Sequence, residues 1–430
     1  MSDRCPRLAR ATVLLLAVAL AGCESPSPTP SSASISPSAL AATSSVTPAP
    51  STTVASQPQP TPPGPTASPT STPIHPGPSP ISEPAGPDGW TLVTSGGGYF
   101  RAVWAPDGAH FFNGQEPTPI EVRDASGSLL TSYAQFDRVA WLDPSHLLGY
   151  RDTVGDPETA VASIADLKGS VVAAPEALNA TAGDGLPNGL GAVAMPRVVG
   201  SGDVPHYQFA VWSDGALGDW HEGEPAEWSD DGTKLAVYHP FEFAMGDPGW
   251  LEVLSWPGLT RLYADRPPYA DVYTVDFDPS GNYIAAYGGG GPAKLHGAQL
   301  RIVSLATDTS AQIPLDSVTY PADPDFFWTT GSQLSLMVGG RVDSYDTSGK
   351  RVDERIAPGF LANASPDGST VAFISDSIGN IDIEKDGRLV SSSQFGTGGI
   401  SQPWFSPDGR SLLLYGYLPD GSTGLFLKRL

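Results

Sequence analysis

Five times between residues 105 and 409 the chain sets a four-residue turn between two short apolar runs, and this repeat constrains the fold more than any other feature. The turns are Ala105-Pro106-Asp107-Gly108, Ser229-Asp230-Asp231-Gly232, Asp278-Pro279-Ser280-Gly281, Ser365-Pro366-Asp367-Gly368 and Ser406-Pro407-Asp408-Gly409. Proline presets φ at about −65° at the first corner, Asp tolerates the second, and glycine accepts the positive φ that closes the turn. Strand-like runs such as Leu235-Ala236-Val237-Tyr238 and Leu412-Leu413-Leu414-Tyr415 follow, so each unit reads as a β-hairpin. Two looser copies keep the same order. They are Trp141-Leu142-Asp143-Pro144-Ser145 before Leu147-Leu148, and Phe327-Trp328-Thr329-Thr330-Gly331 before Leu334-Ser335-Leu336.

After each hairpin comes a second pair of strand-like segments. Examples are Ile120-Glu121-Val122 with Leu129-Leu130, and Ile381-Asp382-Ile383 with Leu389-Val390. Four strands in a unit of roughly 36 to 52 residues is the period of a β-propeller blade. No stretch carries sustained helical periodicity. The turn resembles the Trp-Ser-Pro-Asp-Gly-type repeat of TolB-like propellers, relatives of the WD-repeat proteins, over nearly all of 88–430. That resemblance implies an all-β fold, a single propeller of eight four-stranded blades, with seven as the alternative. The count turns on 175–220, which lacks the turn motif. It does carry Tyr207-Gln208-Phe209-Ala210-Val211-Trp212 before Ser213-Asp214-Gly215, a third strand and its turn. The last unit stops after its third strand, Gly424-Leu425-Phe426-Leu427. Trp90-Thr91-Leu92-Val93 is expected to supply the fourth and close the ring, leaving no long open edge.

Residues 1–22 read differently. Arg4, Arg7 and Arg10 precede an apolar run over 11–21, too short to span a bilayer but suited to a signal peptide. The run ends in Leu20-Ala21-Gly22-Cys23, which resembles the lipobox of bacterial lipoproteins. The resemblance implies removal of 1–22 and attachment of lipid to Cys23, with acyl chains contributing about 0.8 kcal/mol per buried CH₂ to membrane attachment. The expected location is therefore the cell membrane, lipid-anchored on its extracytoplasmic face. Residues 23–87 follow as a stalk. Between Glu24 and Pro87 there are 18 prolines, no Lys or Arg and two acids, a composition that cannot bury enough apolar surface to fold. The expected folded part is 88–430.

The charge narrows the function. The chain holds 23 Lys+Arg against 46 Asp+Glu, a net −23. Such a balance argues against nucleic acid, which needs a clustered cationic surplus. It argues equally against electrostatic docking on anionic lipid. Two cysteines make neither a disulfide scaffold nor a Cys-rich zinc site. The seven histidines show no paired ligand spacing, and no Gly-x-Ser-x-Gly elbow is present. Asp276, Asp278, Ser280 and Asn282 have EF-hand spacing, yet Tyr287 stands where a bidentate Glu is required, so they read as a repeat turn. No catalytic residue, metal or cofactor is expected.

What remains is a binding surface, with a monomer as the expected state. Loops richer than connectors carry His239, Phe241 and Phe243, then Arg266 and Tyr269, then Tyr320 and Asp323. Aromatic and Arg side chains on loops are typical interface anchors. The expected function is a non-catalytic scaffold binding an envelope protein or glycan. The alternative is an extracellular glycan hydrolase using loop carboxylates at the propeller mouth.

Overall fold

The hairpin turns close on their own side chains. In blade 7, Ser365 Oγ donates to Asp367 Oδ1 at 2.6 Å and accepts from Thr370 N at 2.9 Å. Asp367 Oδ1 also accepts Ser369 N at 3.0 Å, and Gly368 N donates to Ser365 O at 2.8 Å. The Ser229 and Ser406 turns repeat these bonds. A computed structural model of the chain describes residues 89–430 apart from 96–100, 115–118, 154–155, 180–183, 200–205, 241–248, 270, 290–298, 314, 316–324, 339, 376–378, 397–398, 401–402 and 419–420. The leader, the lipobox with Cys23 and the stalk lie outside the described residues.

Eight antiparallel sheets form a ring, so the fold is an eight-bladed β-propeller. Blades 1 to 8 span 101–133, 138–173, 186–222, 224–269, 271–313, 326–356, 360–394 and 404–429, each with its first strand innermost. Blade 8 takes its outermost strand from the N-terminal side. Thr91–Ser95 pairs antiparallel with Thr423–Arg429, Thr91 opposite Leu427. The disputed stretch is a full blade. Its first strand, Leu186–Pro187, is two residues long, and its outer edge is split into Ala216–Leu217 and His221–Glu222. Helical geometry among the described residues is confined to 3₁₀ turns, at Gly89 and over Glu176–Leu178.

Alternation along the strands distributes the core between blades. Leu413, Leu425 and Leu427 pack towards blade 1, whereas Leu412, Leu414 and Phe426 pack towards blade 7. Eight apolar clusters result, one in each seam. Adjacent inner strands are also latched by side chains. Trp104 Nε1 donates to Trp404 O, Trp141 to Val103 O, Trp228 to Leu186 O and Trp328 to Asp276 O, all at 2.9–3.1 Å. Each reaches back to the preceding blade, so the repeated tryptophan sets the spacing of neighbours.

The outer strands are exposed and share an irregularity. In blades 1, 2, 4, 6 and 7 the register shifts by one residue just after the turn from the third strand. The extra residues are Leu130, Val172, Leu262, Val352 and Val390, all exposed. A bulge at that position twists and interrupts an edge that would otherwise present flat apolar strand to other chains.

Candidate functional site

Strand direction gives the ring two unlike faces. Turns joining first to second and third to fourth strands share one face. Those turns are short, and their polar groups are largely satisfied internally. Asp124 Oδ1 accepts Ser126 N at 2.8 Å and Ser128 N at 3.0 Å, Asp166 Oδ1 accepts Lys168 N and Ser170 N, and Asp346 Oδ1 accepts Ser348 N and Lys350 N. This second row of capping aspartates has the pattern Asp-x-Ser/Lys-Gly-Ser/Lys, a signal present in the sequence but absent from its reading above. The opposite face, the loop face, carries the second-to-third-strand loops and the blade connectors.

On the loop face the predicted residues fare unequally. His239 ends the second strand of blade 4, Lys234–His239. Its ring stacks on Trp250 with centroids 3.7 Å apart and planes 6° apart, and its Nε2 lies 2.9 Å from Glu252 Oε1. Arg261 Nε donates to Glu252 Oε2 at 2.9 Å, so the carboxylate is gripped from both sides at 5 % exposure. Burial works against the charge on Glu252, but the bonds from His239 and Arg261 outweigh it and hold the carboxyl below its ordinary range. His239 is thus committed at the root of its loop. Phe241, Phe243, Tyr320 and Asp323 lie outside the described residues.

Arg266 and Tyr269 differ from expectation. Their backbone is strand, part of Thr260–Tyr269, and only residue 270 separates it from the next blade. The pairing passes from Leu251 opposite Asp265 to Gly249 opposite Tyr269, so Arg266, Pro267 and Pro268 stand against Trp250 alone. Prolines lack the N–H that a ladder needs, and a wide bulge on an outer strand accommodates them.

Two further groupings carry no sequence motif and emerge only from strand pairing. At the seam of blades 2 and 3, Arg138 Nη2 contacts Asp152 Oδ1 at 2.7 Å and Asp184 Oδ1 at 3.2 Å. Asp137 Oδ2 accepts Asp152 N at 2.7 Å, and Tyr150 Oη accepts Gly185 N at 2.9 Å. Burial pushes the Tyr150 phenol well above its usual value. At blades 6 and 7, Ile356 and Phe360 stand 86 % and 61 % exposed. The connector backbone between them runs close to blade 7, where a Cβ on Gly359 would lie 2.3 Å from Ile374 O. Beside them Arg355 meets Glu384 at 2.6 Å, and Arg341 and Arg351 bracket the buried Asp343. These groups place charged pairs beside exposed apolar side chains. Among the described residues no three His, Cys, Asp or Glu side chains are grouped to hold a metal ion, and no helix is long and apolar enough to cross a membrane.

No protein-family model matches the chain, and no curated protein does. Solved structures match widely, with 989 chains similar in fold. One, titled as a crystal structure of the eukaryotic initiation factor, has a TM-score of 0.50 at 15% identity, covering 76% of this chain and 89% of that one. At that identity the likeness shows the propeller fold alone.

Proposed function

We propose that the chain is a lipid-anchored, extracytoplasmic β-propeller that binds an envelope protein or glycan through its loop face, without catalysis. The observation that carries this reading is the contrast between the faces. One is closed by short turns whose polar groups bond internally, whereas the other holds the long connections and the exposed Ile356 and Phe360. Exposed aromatic and aliphatic side chains beside charged pairs suit a recognition surface. A TolB-like scaffold fits this arrangement.

Two experiments test the reading. In cell fractionation, Cys23→Ser should move the protein from the membrane to the soluble fraction, and retention in the membrane would remove the anchor. In co-purification from envelope extract, Phe241→Ala and Arg266→Ala should each lose the bound component, and unchanged recovery after both would remove these loops as the docking site.

A further inference from the structure

We propose that the rim of the seam between blades 2 and 3 carries a binding site for a neutral oligosaccharide, formed by Trp220, Arg197, Gln208 and Glu222. This deepens the binding role proposed above and rests on it only for where the ligand would be met.

The strand register puts these four side chains together. In blade 3, Val193 and Met195 face blade 2 and belong to the core of that seam. Arg197 is the next residue on that side of Val193–Val199, one step nearer the loop face. Its cross-strand neighbour is Gln208, and Gln208 in turn faces Glu222. All three therefore lie on the blade 2 side, where the packed seam gives way to solvent. Trp220, just before His221–Glu222, lies on the same side, since the Arg197 guanidinium stacks on its ring. The split outer edge of blade 3 matters here. After Ala216–Leu217 the chain leaves the ladder and rejoins it only at His221–Glu222, which frees Trp220 to lie back across the sheet. The facing blade is narrow at this point, since its fourth strand, Val171–Ala173, is three residues long against eleven in its third.

Contacts within the group fix its geometry. The Arg197 guanidinium lies 3.6 Å from the centroid of the Trp220 ring. Its Nε and Nη2 both donate to Gln208 Oε1, at 3.0 and 2.6 Å. Gln208 Nε2 donates to Glu222 Oε1 at 2.6 Å. Arg197 Nη1, Trp220 Nε1 and Glu222 Oε2 make no hydrogen bond to protein among the described residues. The group is thus ordered internally while keeping two free donors and one free acceptor. An ordered guanidinium stacked on an indole has already lost most of the freedom that binding would otherwise cost.

Chemistry then selects the ligand. Sugar hydroxyls both donate and accept, and the unbonded donors and acceptor belong to side chains linked by direct contacts. A pyranose also has an apolar C–H face, and it would meet the indole on the side that Arg197 does not cover. The charges of Arg197 and Glu222 cancel, so neither an anion nor a cation is favoured. No apolar pocket is needed, in contrast to a site for a lipid or a drug-like ligand.

The test uses the full-length chain in neutral detergent, with cellopentaose, maltopentaose and N-acetylchitopentaose as calorimetric probes. At least one should bind with a Kd below about 1 mM. Trp220→Ala should weaken that binding by at least about tenfold, and Arg197→Lys by several-fold through loss of the fork and the stack. Unchanged far-UV circular dichroism establishes that each variant folds. If Trp220→Ala does not fold, Gln208→Ala and Glu222→Gln take its place, with the same loss expected. The proposal is overturned if none of the three probes binds the unmodified chain. It is equally overturned if the folded variants bind as tightly as the parent. Envelope co-purification through Phe241 and Arg266 would survive either result, so failure here is distinguishable from failure of the broader binding role.

Discussion

Asp278 and Ser280 occupy swapped places relative to Ser365 and Asp367, yet they close the same turn. Asp278 Oδ1 accepts Tyr283 N at 2.7 Å, the bond made elsewhere by a serine hydroxyl, and its Oδ2 accepts Ser280 Oγ at 2.6 Å. Ser332 Oγ from blade 6 donates to the same Oδ2 at 2.8 Å, tying two blades through one buried carboxylate. Blade 1 has Ala105 where blades 4, 7 and 8 have serine. Ala105→Ser should therefore restore the missing acceptor and raise stability by about 0.5–1.5 kcal/mol, read from urea unfolding. Acid should act through the same turns. At Asp231, Asp367 and Asp408 burial raises the carboxyl, but the serine hydroxyl and backbone bonds win and hold each below its ordinary range. A depressed folded value means that the stabilisation is complete above the unfolded value of about 3.9 and is lost as pH falls through the folded values. The thermal midpoint should be insensitive to these groups above about pH 5, and the triple Asp→Asn variant should have a shallower slope below about pH 4. These turns were legible in the sequence because the bonds that close each one are made within about six residues. The Arg197–Trp220 group was not, because it depends on register across three strands.

Among the elements, the hairpin and the seam carry the most information. A Cβ at Gly368 would lie 2.1 Å from Trp328 O of the neighbouring blade, whereas at Gly331 it would meet nothing within 4 Å. Both have positive φ, +68° and +79°. Gly331→Ala should cost the conformational strain alone, about 1–2 kcal/mol. Gly368→Ala should cost clearly more, because backbone of blade 6 must also move. Comparison of their urea midpoints separates the two terms. The latches give a second prediction. Trp228→Phe keeps most of the packing but removes the bond to Leu186 O, and should lower stability by about 1 kcal/mol. Blade 3 was the least legible element, for a local reason. Its first strand is two residues, and its turn is Asn188-Gly189-Leu190-Gly191 rather than the Pro-Asp-Gly form. Asn188 Oδ1 nevertheless accepts Leu190 N and Ala192 N, doing the work of the missing aspartate. The Asn-Gly pair was the available signal.

For the whole molecule, closure and facing are the main consequences. The ring is completed by Thr91–Ser95, with Trp90 and Leu92 buried in the seam of blades 7 and 8. Removing residues 1–87 should leave the melting transition intact, whereas removing 1–95 should expose the Thr423–Arg429 edge and bring aggregation at a lower temperature, seen by light scattering during a melt. The segment before Thr91 joins the rim on the turn face, since Thr91 lies opposite Leu427 near the end of its strand. Part of the acidic excess is turn chemistry, since Asp124, Asp166, Asp346, Asp367 and Asp408 all cap turns on that face.

Hydroxyl-radical footprinting of the full-length chain, with and without envelope extract, tests the proposed face most directly. Binding through the loop face predicts protection at Trp250, Ile356 and Phe360, with Leu129, Lys168 and Leu389 near the turn face unchanged. Protection confined to the turn-face residues, or none at either face, would contradict it.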